Sequence, residues 1–224
     1  MRPIGLIILI AARSESCILR LFKWRRERET LAGGDQTRQR ILEKAAALFN
    51  QHGYAGTPLS ELMAATGLQK GGLYRHFANK EELATEAFRL AWSKAVARRS
   101  AGLSECASST QFLRQMVANF VHAPRELPGG CPLMNTAVDA DDSNPALLKL
   151  AQGALREWRG MIEKAVKKGQ RAGEIRTDIS AASVARTLIG DMEGALMIAR
   201  IENHRAPLLE AEARLNLFID SLQS

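Results

Sequence analysis

The sequence predicts an all-α protein of about nine helices. Runs of alternating β-branched and aromatic residues are scarce, and aromatics make up only 5% of the 224 residues. Apolar residues recur instead at spacings of three and four, as one face of a helix requires. Gly, Pro and Asn then punctuate those stretches where helices should start and stop. A hydrophobic content of 46% with 25% charged residues is that of a folded chain. The formal net charge of +7 and pI near 9.7 suit a polyanionic partner, a property that many other proteins share.

The first segment differs from the rest. Ile4 to Ala12 is an apolar run of nine residues, too short to span a bilayer, which needs about 20. Basic residues Arg20, Lys23, Arg25, Arg26 and Arg28 follow it, where an export signal would carry small residues and a cleavage site. Ile18, Leu19, Leu21, Phe22 and Trp24 beside those charges admit a membrane-surface helix, hence a membrane-associated adaptor as an alternative class. We expect residues 1–34 to be an extension, disordered or arising from a start assigned too far upstream, and no membrane partner.

The next helices follow in order. Over Thr37–Tyr54, Ile41, Ala45, Leu48 and Phe49 share one face, and Gly53 ends the helix. Thr57 is expected as N-cap, Pro58 as first helical residue, and Leu59, Leu62 and Met63 as the apolar face of a two-turn helix closed by Gly67. A third helix starts at Gln69 or Lys70. Its Leu73 and Phe77, four apart, form a single apolar edge. Gln69, Lys70, Gly71, Gly72, Tyr74, Arg75 and His76 occupy the rest. Two glycines in a helix cost about 1 kcal/mol each relative to Ala, a cost that makes sense where a backbone must approach something large. Asn79 with Glu82 reads as the capping box of a fourth helix running to about Arg99, with Lys80 in its first turn. Two short helices joined by a Gly-containing turn make the helix-turn-helix pattern, whose second helix enters the major groove. Lys70, Arg75 and Gln69 are then candidates for base edges, and Tyr74, His76 and Lys80 for phosphates.

At "ILEKAAALFNQHGYAGTPLSEL", "ATGLQKGGLYRHF" and "NKEEL" the chain resembles the DNA-binding domain of TetR-type transcriptional regulators over residues 37–83. The resemblance implies a helix-turn-helix domain at 35–83 and a ligand-binding and dimerisation domain at 84–224. It implies DNA contacts at Thr57, Gln69, Lys70, Gly71, Gly72, Tyr74, Arg75, His76 and Lys80. It also implies a cytoplasmic homodimer that binds a palindromic operator and is released by a small molecule. Two positions depart from the family pattern: Gln69 stands where a small hydroxyl residue usually opens the recognition helix, and Pro58 where a second hydroxyl is common.

Further helices are expected at 109–122, 131–140, 145–171, 181–203 and 206–222. The last two carry coiled-coil-like seams, Ala185, Leu188, Met192, Ala195 and Ala199 in one and Leu208, Ala211, Leu215, Phe218 and Leu222 in the other. We expect the dimer interface there, with packing inside one subunit as the other reading. For a ligand pocket the central helices offer Phe112, Met116, Phe120, Met134, Asn135 and Val138, then Trp158, Met161, Ile162, Met192 and Met197, which would equally pack a helical core. "LPGGCPLMNTAVDADD" puts Cys131 at a helix start, where a lowered thiol pKa would make it an electrophile or oxidant sensor. A small buried hydrophobe is the other reading. Asp139, Asp141 and Asp142 suggest either a cation site or a helix end and cap near Pro145. The three cysteines, Cys17, Cys106 and Cys131, and four histidines form no metal-ligand spacing, so neither metal nor cofactor is expected. No nucleophile–base constellation or phosphate-binding glycine loop appears, so no enzyme is expected.

Overall fold

The computed structural model describes residues 34–122, 124, 127–141 and 143–223; the expectations for 1–33 and for Asp142 fall outside them. Contacts divide the chain into two units, residues 1–41 and 42–224. Among the described residues there are nine α-helices and no strand. They are α1 (34–52), α2 (Leu59–Thr66), α3 (Lys70–Tyr74), α4 (Lys80–Arg99), α5 (Ser109–His122), α6 (Pro132–Ala140), α7 (Pro145–Arg171), α8 (Ala181–Ile201) and α9 (Ala206–Asp220). A single 3-10 turn, Leu103–Glu105, links α4 to α5.

Local chemistry sets these limits. α2 stops at Gly67, whose positive φ lets its N–H turn back to the Met63 carbonyl at 2.9 Å. α4 starts where the Asn79 side chain accepts the Glu82 N–H at 2.8 Å, while the Glu82 carboxylate accepts the Ala78 N–H. α7 starts on Asn144, whose side chain accepts the Leu147 N–H at 3.0 Å, with Pro145 next. Asn144, not an aspartate, therefore caps this helix. Asp139 is engaged elsewhere, as an acceptor for the Tyr54 N–H at 2.6 Å, and no metal-ligating cluster occurs among the described residues.

One apolar core runs through α4 to α9 around Trp158 of α7. The Trp158 ring stacks on Phe120 at 5.9 Å and lies tilted against Trp92 at 6.5 Å. Of the pocket candidates, Met116, Phe120, Trp158, Ile162 and Met192 are buried in it, while Val138 and Met197 are exposed. The core corrects one sequence expectation, that of the dimer seams. Both seams turn inward: Ala185, Leu188, Met192, Ala195, Ala199, Leu208, Ala211, Leu215 and Leu222 are buried within one chain, and Phe218 is half-buried. The reason is that α8 packs on α7 and α9, and α9 on α5, so the spacing read as an inter-subunit seam serves intra-chain packing. The opposite faces remain apolar and open. α8 presents Gly190, Gly194, Met197, Ile198 and Ile201, and α9 presents Leu209, Ala213 and Leu217. Ile201 and Leu217 are 78% and 71% exposed.

Candidate nucleic-acid interface

α3 is five residues long with Gln69 as its N-cap residue. Leu73 and Phe77 are buried, and Leu62 of α2 is buried with them. Opposite that edge, Gln69, Lys70, Gly71, Tyr74 and Arg75 are exposed, and Gly72 and His76 half-buried. The two glycines have no intramolecular cause. Neither takes a positive φ; a Cβ on Gly71 would meet nothing within 4 Å, and one on Gly72 only an ordinary contact with Leu68 at 3.5 Å. The backbone is therefore bare on the side that faces solvent, beside a lysine and an arginine, which suits close approach to a phosphate backbone and groove edges.

Two expected contacts change. Thr57 is fully buried, its hydroxyl donating to the Gly53 carbonyl at 2.7 Å, and Pro58 takes the N-cap position of α2. The hydroxyl thus closes the α1–α2 turn and offers nothing to DNA. Lys80 is half-buried, with its ammonium donating to the Tyr54 carbonyl at 2.6 Å and lying 4.3 Å over the Tyr54 ring. Burial lowers its pKa, against the opposing pull of the Asp139 carboxylate. The side chain expected at a phosphate is thus anchored to its own body.

Sequence reasoning missed a polar junction that holds α6 to the C-terminal end of α1. Asn50 is buried and donates to the carbonyls of Pro128 (2.6 Å) and Gly130 (3.2 Å). Asn135, a pocket candidate, sits here instead, donating to the Asn50 and Gly129 carbonyls at 2.8 and 2.9 Å. Gly129 has φ +97°, and a Cβ there would lie 2.2 Å from the Asn50 carbonyl oxygen, so only glycine permits the approach. With Asp139 on the Tyr54 N–H and Lys80 on the Tyr54 carbonyl, α6 is tied to the residues that start α4.

Cys131 precedes α6 but is 2% exposed, accepting a hydrogen bond from the Arg99 guanidinium at 3.1 Å. Burial, then the charge of Glu193, pushes its thiol up to about 11, the reverse of the activated thiolate expected at a helix start. The buried reading replaces the sensor reading. Maleimide at neutral pH is expected to label Cys106 in the folded protein and to spare Cys131, since a pKa of about 11 leaves only about one thiolate in ten thousand at pH 7. Peptide mass spectrometry reads the result; equal labelling of the two would contradict it.

Comparisons with known proteins agree with this geometry. Residues 41–87 match the model described as "Bacterial regulatory proteins, tetR family", and residues 110–215 match "Tetracyclin repressor-like, C-terminal domain". A TetR transcriptional regulator from Chloroflexus aurantiacus J-10-FL is 41% identical, with a TM-score of 0.82 over 86% of this chain and 98% of that one. The chain belongs to the TetR family. It is a helix-turn-helix regulator of transcription by that membership. A TetR-family regulator from Cytophaga hutchinsonii is 35% identical over 85% of this chain and 96% of its own, with a TM-score of 0.79. The HTH-type transcriptional repressor DhaR of Mycobacterium sp. strain GP1 is 27% identical over 172 residues, 76% of this chain and 86% of DhaR. Among the described residues, no helix is long and apolar enough to cross a membrane.

Proposed function

We propose that this TetR-family protein is a cytoplasmic repressor that binds a palindromic operator as a homodimer and leaves it when a small molecule binds residues 84–224. The observation that carries the reading is α3: a polar edge of Gln69, Lys70, Tyr74 and Arg75 open to solvent, held from behind by buried Leu73 and Phe77. Residues 35–83 supply the DNA-reading head, and no catalytic step is assigned to the chain. Titrating DNA from upstream of the protein's own gene at rising salt tests this. Binding should weaken steeply, because neutralised phosphates release counterions. Binding that ignores salt, or fails on every operator-length duplex, would end the reading.

The junction between α1 and α6 supports a route for release. A ligand that shifts α6 draws on Asn50, Tyr54 and Lys80, and it favours release only if it binds the shifted arrangement more tightly.

The open apolar faces of α8 and α9 support the dimer. Gly190, Gly194, Met197 and Ile201 follow a spacing of four, three and four, and the glycines allow backbones to approach. Ile201→Arg with Leu217→Arg is expected to give a folded monomer, because neither side chain contributes to the core. Ultracentrifugation with circular dichroism checks this, and a stable dimer of the double variant would place the interface elsewhere.

A further inference from the structure

A largely apolar groove of about 650 Å³ is bounded by the 3-10 turn, the start of α5 and one face of α7. Its volume lies in the range of small-molecule sites. Leu103, Phe112, Met161 and Ala165 form an apolar wall, and Arg156, Lys164 and Lys168 stand along the open side. None of these three cations forms an ion pair with a described carboxylate. The one carboxylate in the lining, Glu157, is drawn toward α4 by the Trp92 indole N–H at 2.6 Å. Ser109 adds an independent sign of a missing partner: it is buried, it lines the groove, and its hydroxyl has no hydrogen-bond partner. Its backbone N–H is already taken by the Glu174 carboxylate at 2.6 Å, so the hydroxyl alone is left over.

We propose that this groove binds a small amphipathic anion, with a carboxylate-type head at Lys164 and Lys168 and an apolar body along Phe112 and Met161. A cationic amphiphile would meet three like charges against one carboxylate, and a neutral one would gain only the apolar wall. The three cations face a groove of small-molecule dimensions lined by hydrocarbon, which separates this site from a flat basic patch suited to nucleic acid. Lys164 and Lys168 lie one helical turn apart on α7, so both can face one head group. Phe112 and Met161 are the two residues of the expected pocket that line the groove; the lysines look, in sequence, like any solvated helix face. The proposal names the ligand class for the repressor reading and rests on that reading only for its effect on DNA.

Calorimetry with the full chain uses sodium octanoate, 1-octanol and octylamine as probes. Octanoate should bind one per chain, and octylamine should not. The exposed pair Lys164→Ala and Lys168→Ala should weaken octanoate at least about tenfold, the loss of two charge-assisted contacts, while leaving octanol unchanged. Gly160→Phe, at a position where a Cβ meets nothing within 4 Å, should fill the groove and abolish binding of both. The proposal falls if octanoate does not bind, if octylamine binds as well as octanoate, if the lysine pair leaves octanoate unaffected, or if Gly160→Phe does. Operator binding measured with octanoate separates the two readings. Octanoate that binds without releasing DNA upholds the ligand class and removes the release role. Failure to bind DNA at all removes the repressor reading and leaves the calorimetric result standing.

Discussion

Arg99→Met is expected to lower stability by roughly 3–5 kcal/mol at neutral pH, the range seen when one member of a buried ion pair is removed. Arg99 is 1% exposed at the end of α4, and its guanidinium sits 3.9 Å over the Trp158 ring, 5.1 Å from Trp92 and 5.2 Å from Phe120. It lies 3.6 Å from a Glu193 carboxylate oxygen, an ion-pair distance too long for a hydrogen bond, and neither Glu193 oxygen has a hydrogen-bond partner. Two charges held this way cost much of what they gain. Burial raises the Glu193 pKa, with the nearby Cys131 thiol and then the charges of Arg99 and Arg98 opposing the shift. A carboxyl whose folded pKa is raised loses stabilising free energy as pH climbs from its unfolded value through its folded one. Without Arg99 that climb goes higher, so the variant should be hurt less at about pH 5 than at about pH 7.5. Adding Glu193→Leu should restore most of the loss, since a buried pair exchanged for apolar groups is often neutral. Urea melts of the two single variants and the double variant at both pH values close the cycle. A double variant as unstable as Arg99→Met, or a single variant indifferent to pH, would show that the pair is not coupled.

What the sequence made legible follows from where periodic burial decides the structure. α5 and α7 fall at 109–122 and 145–171 as expected because long amphipathic faces and a Pro after Asn144 leave little freedom. α3 is legible for a different reason: Leu73 and Phe77, four apart in a polar stretch, are both buried as that spacing predicts, although the helix itself ends at Tyr74 and Phe77 lies just beyond it. The seams of α8 and α9 were misread because a repeat of three and four specifies burial, not which chain supplies the partner. Arg99 looked like an ordinary basic residue closing a helix, and nothing local shows that Trp158, from α7, folds over it. Thr57 met the rule for an N-cap, but Gly53 offers its hydroxyl a carbonyl one turn earlier. Asn50 and Asn135, which are 85 residues apart, meet only through tertiary folding, and no spacing rule reaches that far.

Lys70→Ala combined with Arg75→Ala should weaken operator binding by at least about a hundredfold while leaving the melting temperature unchanged. Both side chains are exposed and carry none of the core, so their loss should be felt only when DNA is present. A base-edge contact contributes about 1–3 kcal/mol of discrimination, and in a dimer each substitution acts in both half-sites. The single variants divide the roles. Arg75→Ala should relax sequence preference, whereas a residue that touches only phosphate would weaken all duplexes alike and make the salt dependence shallower by about one phosphate per contact. Lys80→Ala separates anchoring from contact. Its ammonium is held on the Tyr54 carbonyl and ring, so a uniform loss of DNA affinity with a shallower salt slope would mean that the remaining donors reach a phosphate. An unchanged slope with lower thermal stability would mean that Lys80 serves the α1–α4 junction alone. Leu73→Ala is the counterpart from the buried side: it should cost about 2–5 kcal/mol of stability and reduce DNA binding only as far as α3 is lost. If the double variant at Lys70 and Arg75 binds the operator like the parent chain, the exposed edge of α3 is not what reads DNA, because the one side-chain contact of the pair, the Lys70 ammonium 6.0 Å from the Tyr74 ring, lies on that same exposed edge.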